Sequence, residues 1–117
     1  MNIAPIKPTI NFSDLEKIDI RVATILKVEN IDKSDKLVKL TIDLGNETRT
    51  VVVGMKQERE NPKEIEGRQA LFVVNLPQKQ IMGVTSNGML FDIGYADGIT
   101  PVLAITEKNI PNGARAG

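Results

Sequence analysis

Lysines, carboxylates and the hydroxyls of Ser13, Ser34 and Ser86 are the groups this 117-residue chain could turn to catalysis, because it contains neither histidine nor cysteine. Without histidine it lacks the usual general base near neutral pH and the commonest metal ligand. Without cysteine there is no thiol nucleophile, thiolate metal site or disulfide. None of the three serines sits in a recognisable nucleophile motif, and no two carboxylates are spaced as an obvious acid–base pair. The inventory speaks against an enzyme, and neither a metal nor another cofactor is expected. Binding chemistry is what the side chains can offer. Basic and acidic residues balance at 15 each. Phosphate contacts therefore have to come from a local cluster of cations rather than from a basic excess over the whole chain.

The elements that would position such a cluster are strands. The 41% hydrophobic content suits one domain, and only four residues are aromatic: Phe12, Phe72, Phe91 and Tyr95. The core must rest on Val, Ile and Leu, which favours sheet over helix. Residues 1–11 hold Pro5 and Pro8 and read as an extended arm. Ser13-Asp14-Leu15-Glu16 has the form of a capping box opening a short helical turn. From Ile20, period two places Ile20, Val22, Leu26 and Val28 on one side of a strand and Arg21, Lys27 and Glu29 on the other. Val38, Leu40, Ile42 and Leu44 alternate with Lys39, Thr41 and Asp43. Gly45-Asn46 before the run Thr48 to Val53 signals a hairpin, since glycine tolerates the positive φ of tight turns. Asn61, Pro62, Glu64 and Gly67 bracket a second short helix. Strand-like sequence resumes from Gln69 to Leu76, through a Gly-punctuated stretch to Ile93, and from Val102 to Ile105. Five or so strands with a short helix between the third and fourth is the order of an OB-fold, a partly open Greek-key barrel. An SH3-like or other small barrel is the competing arrangement.

Specific strings decide between them. FSDLEKIDIRV (12–22), SDKL (34–37), Asp43-Leu44-Gly45, Arg49, VVGM (52–55), Asn75-Leu76-Pro77 with Lys79, Gly83, SNGM (86–89) and the closing PNGARAG occur in one order across residues 12–117. In that order they resemble the tRNA-binding domain family. Its members include a C-terminal appendix of many methionyl-tRNA synthetases, free-standing tRNA-binding dimers and CsaA-type export chaperones. The resemblance implies an all-β, five-stranded OB-fold barrel with one or two short helices and terminal extensions. It divides the chain into an arm, 1–11, and the tRNA-binding domain with a C-terminal dimerisation segment, 12–117.

The resemblance also implies a function, a structure-selective tRNA-binding module related to or assisting methionyl-tRNA synthetase. The RNA surface it implies comprises Lys36, Arg49, Lys56, Asn75, Lys79, Ser86 and Met89. The basic positions would neutralise phosphates, and Asn75 and Ser86 would bond sugar or base edges. Gly54, Gly83 and Gly88 read as backbone devices. Arg49 could alternatively pair with Asp43 across the hairpin, and Arg21 is expected to brace Asp19. The acidic run Glu58, Glu60, Glu64 and Glu66 reads as a solvated face. The segment PQKQIMG (77–83) carries Lys79 as its only charge, which keeps open the CsaA-type alternative, a chaperone for unfolded polypeptide with Ile81 and Met82 exposed. Few aromatics point to recognition by shape and backbone contact rather than stacking. A homodimer is expected, built through the apolar arm (Ile3, Ile6, Ile10) and the tail from Val102 to Gly117. No signal peptide or membrane-spanning run is present in the sequence, so no membrane association and a cytoplasmic location are expected.

Overall fold

Strands β1 (Ile20–Asn30), β2 (Val38–Asp43) and β3 (Thr48–Val53) form an antiparallel meander in a computed structural model that describes residues 3–117. Met1 and Asn2 of the expected arm lie outside the described residues. Alternation in β2 holds throughout, with Val38, Leu40 and Ile42 buried and Lys39, Thr41 and Asp43 half-buried. The β2–β3 turn falls at Gly45-Asn46, closed by the Leu44 N–H donating to the Glu47 carbonyl at 2.9 Å. Gly45 has φ +95, and a Cβ there would lie 2.6 Å from the Asn112 carbonyl oxygen, so glycine is required twice over.

β1 departs from the expected alternation. Its pairing with β2 steps from Ile25↔Ile42 to Lys27↔Thr41, leaving Leu26 as the extra residue of a β-bulge. The bulge reverses the inside–outside phase: Ile25 and Val28 are buried, whereas Leu26, expected inside, is exposed. Leu26→Gln should accordingly change unfolding free energy by no more than about 0.5 kcal/mol in urea titrations. A loss above about 2 kcal/mol would return Leu26 to the core.

β4 (Gln69–Val73) pairs with the first half of β1, and β7 (Met89–Leu90) pairs with β4, giving the order β3-β2-β1-β4-β7. β5 (Lys79–Ile81) and β6 (Val84–Ser86) form a separate hairpin. β8 (Arg115–Ala116) joins β1 at Ile20 and Arg21. The sheet curls until β3 meets the segment after β6, where the Asn87 N–H donates to the Thr50 carbonyl at 2.8 Å. The result is the expected barrel of five principal strands, closed only in part.

The helices are as short as expected, with corrections to their ends. α1 (Phe12–Leu15) is one turn, and Asn11 rather than Ser13 occupies the cap position, without a side-chain bond. The turn begins early because the Asn11 carbonyl already accepts the Asp14 amide at 3.0 Å. A 3-10 turn, Pro62–Ile65, links β3 to β4; the Asn61 side chain accepts from the Lys63 N–H, and Ile65 is fully buried. Glu64 does not close a box there, because Arg59 holds its carboxylate at 2.6 Å. Val102 to Ile105 makes isolated bridges, Ile93↔Val102 and Ala70↔Ile105, rather than a strand. Pro101 denies that run an amide at its start, and a 3-10 turn at Tyr95–Asp97 between Gly94 and Gly98 breaks the chain before it. The core gathers Phe72, Ile25, Leu40, Ile42, Ile65, Val28, Val38 and Val51, all fully buried.

Candidate functional site

Arg49 sits half-buried on β3 with its guanidinium between the two feet of the β5–β6 hairpin. One terminal nitrogen donates to the Val74 carbonyl at 2.7 Å, just past β4, and reaches Asn87 Oδ1 at 3.5 Å, just past β6. Nε donates to Glu47 at 3.0 Å. The pairing with Asp43 does not form, because the Asp43 carboxylate accepts the Gly45 N–H at 2.8 Å inside the β2–β3 turn.

The hairpin needs these anchors, since its strands bond only to each other: Lys79↔Ser86, Gln80↔Thr85 and Ile81↔Val84. Ser86 is buried, and its hydroxyl accepts the Val52 N–H at 3.0 Å. Asn75 fastens the other foot. Its Oδ1 accepts the Asp19 N–H at 2.9 Å, and its Nδ2 donates to the Lys17 carbonyl at 2.6 Å. Gly88, at φ +123, brings the backbone within 3.1 Å of the Val73 carbonyl at the Cβ position. Gly83 also has positive φ, whereas Gly54 does not and fills no such role. Arg49, Asn75 and Ser86 thus direct polar atoms to holding the hairpin, and Lys79 stands exposed at its base.

Lys36 and Lys56 meet at the far end of the β2–β3 ribbon, where Val38 pairs with Val53. The Lys56 N–H donates to the Lys36 carbonyl at 3.0 Å, and Lys56 Nζ donates to the Ser34 carbonyl at 2.7 Å. Lys36 is exposed. Lys33, not singled out from sequence, lies in the same β1–β2 loop with φ +68; the turn-forming residues Asp32-Lys33-Ser34-Asp35 were the available signal.

Met89 stands apart from these cations. It lines a groove of about 580 Å³ with Val52, Phe91, Tyr95, Glu58 and Asp92. Burial pushes the Asp92 carboxyl above its ordinary value; burial, and then the charge of Asp92, does the same to Glu58. Arg21 behaves as expected: it bonds Asp19 at 2.6 Å and also donates to the Gly113 carbonyl at 3.0 Å. That bond, opposed in part by burial and aided by the charges of Arg21 and Arg115, holds the Asp19 carboxyl below the usual range. Within the acidic run, Glu66 departs from a solvated role, its carboxylate accepting the Val28 N–H at 2.8 Å.

Carboxyls shifted in opposite senses predict opposite pH behaviour. Asp92 and Glu58 bind protons more tightly when folded, so their ionisation destabilises the fold at neutral pH. Asp92→Asn should raise the melting temperature at pH 7, and the gain should shrink as pH falls through the raised range. Asp19→Asn should lower it at pH 7, with the deficit closing only as pH drops below about 4. Melting curves from pH 3 to 8 check both signs.

Comparison with known proteins bears on what this surface is for. The family model of the tRNA binding domain matches residues 20–115. A methionine–tRNA ligase of Chloroherpeton thalassium is 40% identical over 103 residues, 88% of this chain and 15% of that protein. One from Porphyromonas gingivalis is 41% identical over 100 residues, 86% of this chain and 15% of that protein. The chain therefore spans about 15% of the length of these curated relatives. Among solved structures, a MetRS-related protein from Pyrococcus horikoshii matches with a TM-score of 0.86 at 36% identity, over 95% of this chain and 100% of that one. The chaperone CsaA of Bacillus anthracis matches with a TM-score of 0.79 at 26% identity, over 94% of this chain and 100% of that one.

Proposed function

The chain belongs to the tRNA-binding domain family, and on that premise we propose that it binds structured tRNA without a catalytic step of its own. The observation that carries the reading is the β5–β6 hairpin, self-paired and fastened at both feet, which rests β6 on β3 through Ser86 and carries Lys79 on β5, while Lys36 and Lys56 meet at the end of the β2–β3 ribbon. Phosphates tracking this side meet Lys79, Lys36 and Lys56, with Arg49, Asn75 and Ser86 fixing the hairpin's position. As a relative of segments of methionine–tRNA ligases, the module would raise tRNA capture by such a ligase in the cytoplasm. No helix among the described residues is long and apolar enough to cross a membrane.

A second copy of the chain completes the proposal. Phe12, Leu15, Ile18, Leu71 and Phe91 line a cavity of about 820 Å³ next to β8, and Phe12 is 82% exposed. Residues 110–116 of the tail are bonded to their own β1 and β4, so the dimer contact falls to α1 and the apolar residues around it. A two-fold dimer would double the cationic surface for one tRNA.

Titrating labelled tRNA at low and rising salt, with light scattering on the same samples, tests the reading. Saturable binding that weakens with salt is expected, and Lys36→Ala and Lys79→Ala should each flatten the salt slope by about one unit. No saturable binding at low salt sinks the proposal, and an unchanged slope removes the lysine concerned. Phe12→Asp should leave a monomer with weaker binding.

The groove of Met89, Phe91 and Tyr95, apolar on its floor and acidic at Glu58 and Asp92, favours a second reading in which unfolded polypeptide is held there. Suppression of client aggregation would support it. A chain that captures tRNA and leaves aggregation unchanged would remove it.

A further inference from the structure

The β5–β6 hairpin turns on Met82 and Gly83, the two residues between the Ile81↔Val84 pair. Both have positive φ, +51 and +80. Two-residue turns with positive φ at both positions favour asparagine, aspartate or glycine first, because a longer side chain crowds the backbone there. Lys33 is the other non-glycine residue with positive φ among the described residues. Met82 is also 53% exposed. The turn therefore holds an apolar side chain out in water, against both its backbone preference and the hydrophobic effect. Neither local geometry nor the core accounts for a methionine here.

The surroundings favour a particular occupant. Residues 74–91 contain no carboxylate, in a chain that has 15. Lys79 lies at the base of the hairpin, and Gln80 and Thr85 pair across it. Aromatic platforms are absent from this end. Phe72 is buried, Phe12 lines the cavity beside α1, and Phe91 and Tyr95 line the acidic groove. A flexible, polarizable thioether on a hairpin without carboxylates can lie against the face of an unstacked base, as apolar wedges do between base steps.

We propose that Met82, with Ile81 beside it, seats against a nucleobase exposed in a loop of the bound RNA, so that the hairpin tip reads unpaired structure while the lysines hold the backbone. Loops and bulges are where RNA offers such bases. The proposal rests on the tRNA-binding reading and deepens it.

Met82→Asn is the decisive variant because it suits the turn and removes the wedge. Its melting temperature should equal or exceed that of the starting protein. Its affinity for tRNA should fall roughly 5- to 100-fold, the range of one lost base contact, with an unchanged salt slope. Met82→Leu should stay within about threefold of the parent, as an apolar replacement of similar volume. A blunt RNA duplex without unpaired bases is the control, and both variants should bind it like the parent. If Met82→Asn binds tRNA as the parent does, or loses duplex and tRNA affinity equally, the wedge is overturned while tRNA binding stands. A parent protein that does not bind tRNA overturns the functional reading and this inference with it.

Discussion

Replacing Phe72 with alanine should lower the unfolding free energy by about 3–5 kcal/mol, read as a shift of the urea midpoint at constant m. Phe72 is fully buried on β4, facing Arg21 across one ladder and Leu90 across the other. It is the only aromatic in a core otherwise built from Val, Ile, Leu, Met and Ala. Its neighbours sit on hydrogen-bonded strands, and many are β-branched with few rotamers, so they cannot close around the space a ring leaves. Against a total of roughly 5–15 kcal/mol for a domain, the loss should leave a substantial unfolded fraction on mild heating. A loss below about 1 kcal/mol would mean that β4 does not pack as described.

A comparable effect is expected from Gly113→Ala, through a different cause. Gly113 has φ +91, and a Cβ there would lie 2.5 Å from the Leu44 carbonyl oxygen, which is itself fixed in the β2–β3 turn. The left-handed backbone costs a side chain roughly 1–2 kcal/mol before the clash is counted. Relieving the clash means moving the tail. That motion breaks the bond from the Gly113 N–H to the Val22 carbonyl, at 2.7 Å, and the bond from Arg21 to the Gly113 carbonyl. With about 0.5–1.5 kcal/mol for each hydrogen bond lost, the total should reach roughly 2–5 kcal/mol. Gly98→Ala provides the control, because Gly98 also has positive φ, +70, but nothing lies within 4 Å of its Cβ position. It should carry only the backbone cost. Faster amide exchange at Val22, whose N–H bonds the Ala114 carbonyl, should accompany the change at Gly113 and not at Gly98. Equal effects of the two substitutions would refute the close approach. The damage should reach the hairpin as well. Arg21 orients Asp19, whose backbone carbonyl accepts from Val74 and whose N–H donates to Asn75.

How far such relations can be read from sequence depends on their range. The β2 alternation, the Gly45-Asn46 turn and the Pro62 turn follow from rules spanning a few residues, and each appears where expected. The strings from FSDLEKIDIRV to PNGARAG carry the barrel, because their order reflects the same fold in relatives. Leu26 escapes because a bulge is set by the partner strand, and nothing in ILKV marks which residue will be extra. Arg49 shows the same limit at the site. Its basic character is visible, but its targets, the Val74 carbonyl and Asn87, come 25 and 38 residues later and meet it only when the sheet curls. Ser86 likewise resembles a ligand-facing hydroxyl until the fold places the Val52 amide beside it.

The bulge in β1 has a consequence for how the molecule comes apart. Thr24 pairs with Asp43 on one side and Gln69 on the other, so a single strand belongs to both halves of the barrel. Just beyond it the chain bends, carrying one end toward β4 and the other along β2. Opening either half strips one ladder from that shared strand and so weakens its hold on the other. Native-state hydrogen exchange should therefore report one shared opening free energy for the amides of β2 and β4, as for a single cooperative unit.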